Sequence, residues 1–411
     1  MKRIERETDA GGENAAVRAD RPPSAVIGAT HSSYLDVCRG TAASLVVFAH
    51  AQDIFGYGSG YRAYGALGVA IFFLLSGFLI AISINGHLAR DNPQLSSFLS
   101  DRVARIATPF LPVLCLVALV NSFLALGNWG QFGVNRGAFA FLGNALLLHD
   151  YPLVQALSNK WNVADYYVRS YNTAEPFWTI PIEFWIYVGV GVFAFGIFGR
   201  RRIRFWFGLA AIAISAPVIV WNSFAGGGRC LALIWFTGAG FGGLWMFLRR
   251  RLGERLWPVG FSLAAFGGVS LIGRAAKISF DPFDLQTSIL LACVLFGISF
   301  SLEGSRERRW FQLLGSVLSS YSYSLYLVHN TVLIIAYEYG LRYHLKTYFA
   351  AILAAHLIAI AVYLLFERHY RVVSLKIRPA LAALCSDSAS AAASKVPTDQ
   401  AAGRPLSGLS S

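Results

Sequence analysis

Charge is scarce in this chain: of 411 residues only 14% are Asp, Glu, Lys or Arg, against 55% hydrophobic. So low a charge content excludes two or three ordinary soluble domains of this length. Acidic residues are scarcer still, 22 against 35 Lys and Arg, for a net charge of +13. The basic residues sit in short clusters between apolar runs, which excludes a nucleic-acid surface and points to anchoring on an anionic lipid bilayer. The five cysteines (Cys38, Cys115, Cys230, Cys293, Cys385) form no CxxC pair and no Cys/His cluster, so neither a disulfide framework nor a metal site is expected. No cleavable signal peptide is expected either, because the first apolar run is long enough to stay in a membrane. No repeat of 20–50 residues is visible.

What the chain has is long apolar stretches. At about 20 residues per crossing, ten spans are expected, near 34–54, 64–84, 106–126, 178–198, 204–222, 229–248, 256–273, 285–302, 314–337 and 346–366. The shorter run 137–148 reads as an interfacial or re-entrant piece. The expected fold is therefore all-α, a polytopic bundle of about ten transmembrane helices over 34–370. Polar, disordered tails are expected at 1–33 and 371–411. With both termini in the cytoplasm, 25 of the 35 Lys and Arg fall in inner segments, 9 in outer ones, and Arg39 lies within the first span. That bias is what the positive-inside rule requires of an inner (plasma) membrane protein. The segment 127–177, rich in Asn, Tyr and Trp, is then extracytoplasmic; its composition suits sugar stacking as well as an interfacial aromatic belt.

The first span, DVCRGTAASLVVFAHAQD (Asp36–Asp53), carries an arginine and a histidine eleven positions apart. Eleven residues make about three helical turns, so Arg39 and His50 share a face roughly 16 Å apart along the axis. Ala43 and Val46 lie between them, and Asp53 follows one turn beyond. Arg39 alone fits a snorkelling cation, and His50 alone fits a hydrogen-bonded core histidine. Together they outline two ends of one substrate channel, with the imidazole suited to general-base work. Further along, Gly68, Ser76 and Gly77 in GVAIFFLLSGFLI fit close helix packing. Arg102 and Arg105, three apart before the third span, fit either anchoring or a phosphate clamp. Glu183 in PFWTIPIEFW lies about one and a half turns into a span, where a lone carboxylate is costly. His329 in SYSLYLVHN lies in the outer half of the ninth span, above Tyr323 and Tyr326.

Taken in order, LDVCRG with Arg-x10-His, FFLLSGFLI, RVARI, PFWTIPIE and SYSLYLVH resemble the membrane acyltransferases of the acyltransferase 3 family. The resemblance covers about 34–370 and implies an O-acyltransferase acting on glycans and other cell-surface molecules. It further implies acyl-coenzyme A as donor, a glycan acceptor and no metal. By the resemblance Arg39 and His50 are the residues tied to activity, Arg102 and Arg105 join Arg39 at the donor, and Glu183 supports the site. Asp53 or Glu183 would orient the His50 imidazole, while Trp178, Tyr326 and His329 are expected to contact substrate. Two routes are open: His50 deprotonates the acceptor hydroxyl, or carries the acyl group itself. The sequence departs from the family pattern in the extra residue of Ile106–Pro109 and at His369, where proline often stands. A glycan or lipid-linked-intermediate exporter is the alternative function, because a bundle with few buried charges suits transport as well.

Overall fold

The computed structural model describes residues 28–58, 62–124, 133–161, 166–199, 202–224, 229–277, 280–305, 308–340 and 344–385. The apolar runs fold into helices because a buried or lipid-facing backbone must satisfy its own N–H and C=O groups. In chain order these are α1 (Ala29–Ile54), α2 (Arg62–Leu88), α3 (Leu95–Phe123) and the short α4 (Gly137–Ala145) and α5 (Pro152–Trp161). A 3₁₀ turn (Glu175–Trp178) then leads into α6 (Thr179–Phe198), followed by α7 (Phe205–Phe224), α8 (Leu231–Leu252), α9 (Trp257–Ala275) and α10 (Leu285–Ser301). The chain continues with α11 (Arg309–Ser320), α12 (Ser322–Tyr339), α13 (Leu345–Leu365), a 3₁₀ turn (Glu367–His369) and α14 (Tyr370–Cys385). Among the described residues there is no named strand, only an isolated bridge between Val134 and Val168.

The chain is thus a polytopic helical bundle, with seven helical segments long and apolar enough to cross a membrane among the described residues. Three of the ten expected spans fall outside that set for separate reasons. α1 is long, at 26 residues, but Asp36, Arg39, His50 and Asp53 dilute its apolar character. α10 is apolar but only 17 residues long. The run 314–337 is broken at Tyr321 into α11 and α12. The break follows from the serines, whose hydroxyls compete for helical carbonyls: Ser320 donates to Val317 (2.9 Å) and Ser322 to Ser319 (2.8 Å).

The expected tails lie for the most part outside the described residues. Where they are described they are helical. α1 starts at Ala29, and α14 runs to Cys385, held to α3 by Ser374 Oγ donating to Asp101 (2.6 Å) and by the Arg378–Asp101 pair (3.7 Å). The run expected at 137–148 becomes α4, nine residues long with Phe139 and Leu142 exposed, too short to span.

α1 packs against α2, α11 and α12, and α2 packs in turn against α8. The α2–α8 contact depends on missing side chains: a Cβ on Gly77 would fall on the Trp235 carbonyl oxygen, and one on Gly238 on that of Leu74. Small residues let helices approach where lipid provides no hydrophobic drive. Gly238→Ala should therefore lower stability by on the order of 1–3 kcal/mol, the usual cost of overpacking. Thermal unfolding in detergent checks this, and an unchanged midpoint would contradict the close approach.

Both ends of α1 are tied. At its start His31, fully buried, contacts Glu303 (Nδ1 to Oε2, 3.2 Å), which also accepts from Trp245 Nε1 (3.2 Å) and pairs with Arg249 (3.3 Å). Burial pushes the Glu303 carboxyl up, but the His31 bond, the Arg249 charge and the Trp245 bond outweigh it and hold its pKa below the usual range. At the other end Gln52 donates to the Tyr348 hydroxyl of α13 (2.8 Å).

Candidate active site

One end of the site gathers around Arg39. Its guanidinium lies 3.5 Å from Asp36 one turn back, and its field is shared by Arg105 of α3 and Glu183 of α6. Gly40 beside it admits α11, since a Cβ there would come within 2.9 Å of the Leu318 carbonyl oxygen. Arg105 pairs with Glu367 (3.3 Å) and lies over the Tyr370 ring, 5.0 Å from its centre. Glu367 is fully buried, and its second oxygen accepts from the Ser324 amide (3.1 Å) and hydroxyl (2.6 Å) at the start of α12. Arg102, on the same face of α3, lies over Phe98, 5.9 Å from the ring centre. Arg39, Arg102 and Arg105 therefore gather with Asp36, Glu183 and Glu367, from four segments, in a half-buried space where guanidinium forks suit phosphate oxygens.

Glu183 lies between the two ends, within electrostatic range of both Arg39 and Tyr326. It is the terminus of a directed hydrogen-bond chain. Trp235 Nε1 donates to Ser76 Oγ (2.9 Å), Ser76 meets the Tyr187 hydroxyl (2.7 Å), and Tyr187 donates to Glu183. Because indole only donates and the tyrosine proton is spent on the carboxylate, Ser76 must donate to Tyr187. Each bond polarises the next toward the negative charge. Ser76, expected as a packing residue, therefore links α8 to α6 through its hydroxyl.

The other end holds two histidines. The His50 and His329 rings are 5.2 Å apart, inclined at 56°. His329 is fully buried, and its Nδ1 faces the carbonyls of Leu325 (3.1 Å) and Tyr326 (2.9 Å). Carbonyl oxygens only accept, so Nδ1 carries the proton and Nε2 is left with a lone pair that has no protein partner among the described residues. Two histidines in van der Waals range, one locked with a basic nitrogen free, are equipped to take a proton from a hydroxyl.

The remaining expected residues are placed as follows. Asp53 is not joined to His50 by a hydrogen bond; it accepts from Arg62 at 2.9 and 3.2 Å in an exposed pair. The Tyr326 hydroxyl is committed to structure, donating to the Pro176 carbonyl and meeting Thr179 Oγ1, both at 2.7 Å, while its ring centre is 5.9 Å from that of His329. Trp178 ends the 3₁₀ turn and lies under the Arg229 guanidinium at 4.7 Å. The stripe between Arg39 and His50 is packed, not open. Ala43 and Val46 are each 1% exposed, because Gly68 brings α2 so close that a Cβ there would be 2.8 Å from Val46 Cγ2. Among the described residues no group of three His, Cys, Asp or Glu could hold a metal ion.

A cap built from 133–161 and 166–178 covers the histidine end. Thr173 Oγ1 contacts Thr331 (2.9 Å) and accepts from Asn121 (3.0 Å), Asn172 donates to Asn121 (2.9 Å), and Asn330 donates to the Thr173 carbonyl (2.7 Å). These buried amides fasten the cap to α12 immediately after His329. Within the cap His149 donates to the Phe177 carbonyl (3.0 Å), and burial lowers its pKa, keeping it neutral. Glu367, Tyr187, Trp235 and this network were not foreseen. The signals available were faint: a carboxylate ending the last apolar run, and an Asn and Thr beside a histidine.

Comparison with known proteins bears on what this constellation does. Residues 32–368 match the family model described as "Acyltransferase domain". The chain is 30% identical over 323 residues to "Exopolysaccharide production protein ExoZ" of Rhizobium meliloti (strain 1021), covering 74% of this chain and 89% of that protein. No solved structure matches.

Proposed function

The chain belongs to the acyltransferase family, as a membrane enzyme of that family, and we propose that it moves an acetyl group from acyl-coenzyme A to a hydroxyl of a surface or exported polysaccharide. The relative's role in exopolysaccharide production supports the acceptor class. The observation that carries the chemistry is the His50–His329 pair, with His329 Nε2 freed by the two carbonyls on Nδ1. The acceptor hydroxyl gives its proton to an imidazole nitrogen as its oxygen forms a bond to the thioester carbonyl. His50 is the imidazole that takes this proton, and His329, locked in one tautomer against it, positions the ring. The carbon–sulfur bond then breaks, the His50 imidazolium returns the proton to the departing coenzyme thiolate, and the coenzyme leaves as its thiol.

Arg39, Arg102 and Arg105 bind the donor's phosphates, since arginine forks suit phosphate oxygens. Glu183, at the end of its hydrogen-bond chain, balances the Arg39 charge, and Glu367 holds Arg105 in orientation. In this arrangement the arginines face the cytoplasm and the cap faces outward, with both termini on the cytoplasmic side of the plasma membrane.

Mass spectrometry of surface polysaccharide from cells with and without the gene tests the proposal. An added acetyl mass that disappears with the gene is the expected result. Disappearance of the whole polysaccharide would instead make the protein an exporter and refute acyl transfer.

A further inference from the structure

The cap end of the bundle carries a cation that the acyl-transfer chemistry does not use. Arg229 is exposed, two residues before α8. Its guanidinium lies over two rings at once, 4.7 Å from the centre of Trp178 and 5.4 Å from that of Phe283. The backbone is fixed as well, because the neighbouring Cys230 amide donates to the Phe283 carbonyl (3.4 Å). An arginine held over aromatic rings keeps its N–H edges available while its flexibility is reduced.

No carboxylate pairs with Arg229 among the described residues. Those closest in sequence to its two rings are otherwise engaged or point to no such pair. Asp284 is taken by Arg274 (2.8 Å) and the Thr287 amide (2.9 Å), Asp281 accepts from the Phe283 amide (2.9 Å), and Glu175 is exposed with no ion pair to Arg229. Trp178 belongs to the 3₁₀ turn whose Pro176 carbonyl receives the Tyr326 hydroxyl, and the Tyr326 ring adjoins that of His329. A preorganised guanidinium beside an aromatic platform is therefore joined, by one tyrosine, to the histidine end.

We propose that Arg229, with Trp178 and Phe283, recognises a carboxylate on the acceptor glycan, so that the enzyme prefers acidic polysaccharides. The rings hold the guanidinium in place, and its planar fork takes the two carboxylate oxygens. This assignment rests on the acyl-transfer reading and adds the substrate class to it.

The test uses the purified full-length protein in lipid nanodiscs, acetyl-coenzyme A, and surface glycan taken from cells lacking the gene. One portion of glycan is left intact and the other has its carboxylates capped as methyl esters, which creates no new hydroxyl. Wild type should acylate the intact glycan faster by about tenfold or more, the range expected for hydrogen bonds to a charged group. Arg229→Gln should acylate the two portions alike, and Arg229→Lys should recover part of the preference. Equal rates on both portions with wild type, or a preference that survives in Arg229→Gln, would overturn the assignment while leaving acyl transfer intact. Wild type acylating neither portion would remove acyl transfer itself and Arg229's role with it. If Arg229→Gln slows both portions alike, and wild type does the same when anionic lipid is replaced by zwitterionic lipid, the cation serves lipid phosphate and the assignment is overturned.

Discussion

Membranes carrying His50→Ala should transfer acyl groups at least about a hundredfold more slowly than wild type, the usual contribution of a positioned general base. The protein level in the membrane should be unchanged. Among the described residues His50 makes no side-chain hydrogen bond whose loss would strand a buried partner, and the His329 ring lies against it. His329→Ala should be comparably slow, because the two rings act as one unit. For the same reason the double variant should be no slower than the worse single one. Radiolabel transfer from acyl-coenzyme A into glycan measures all three. Near-normal transfer by His50→Ala would end the general-base role, and fully multiplicative losses in the double variant would separate the two histidines.

Glu367→Ala should cost stability and donor affinity together. The carboxylate is fully buried, and one oxygen holds Arg105 while the other holds the Ser324 amide and hydroxyl. Removing it leaves two donors unpaired and Arg105 unbalanced near Arg39. Breaking a buried pair costs about 3–5 kcal/mol, and because Arg105 is 33% exposed we expect about 2–4 kcal/mol here. The KM for acyl-coenzyme A should rise with it. Glu367→Gln keeps an acceptor for Ser324 and loses only the charge, so it should unfold at a temperature between the other two. Thermal unfolding in detergent gives the order, and a wild-type midpoint for Glu367→Ala would remove its structural role.

Much of this was legible in the chain because it is local. The apolar runs announce helices, and a period of 3.6 places Arg39 and His50 on one face before any coordinates are known. What escaped reading depends on partners far away in sequence. Ser76 reads as a small packing residue until Trp235 and Tyr187 arrive on either side of it. The His329 proton sits on Nδ1 because of two carbonyls only one turn back, but the pattern of the span does not say which way the ring turns. The packed stripe was equally hidden: Val46 looks free until Gly68 lets α2 close over it.

The fastening of α1 at both ends has a consequence for how the protein works. With His31 locked to the Glu303 turn and Gln52 to Tyr348, the helix is a strut that can neither slide nor tilt without breaking buried polar contacts. The separation between its guanidinium and its imidazole is then fixed by the helix, and under the proposed acyl transfer it is a gauge that a donor has to match. Whatever breathing admits a substrate is left to the neighbours of α1.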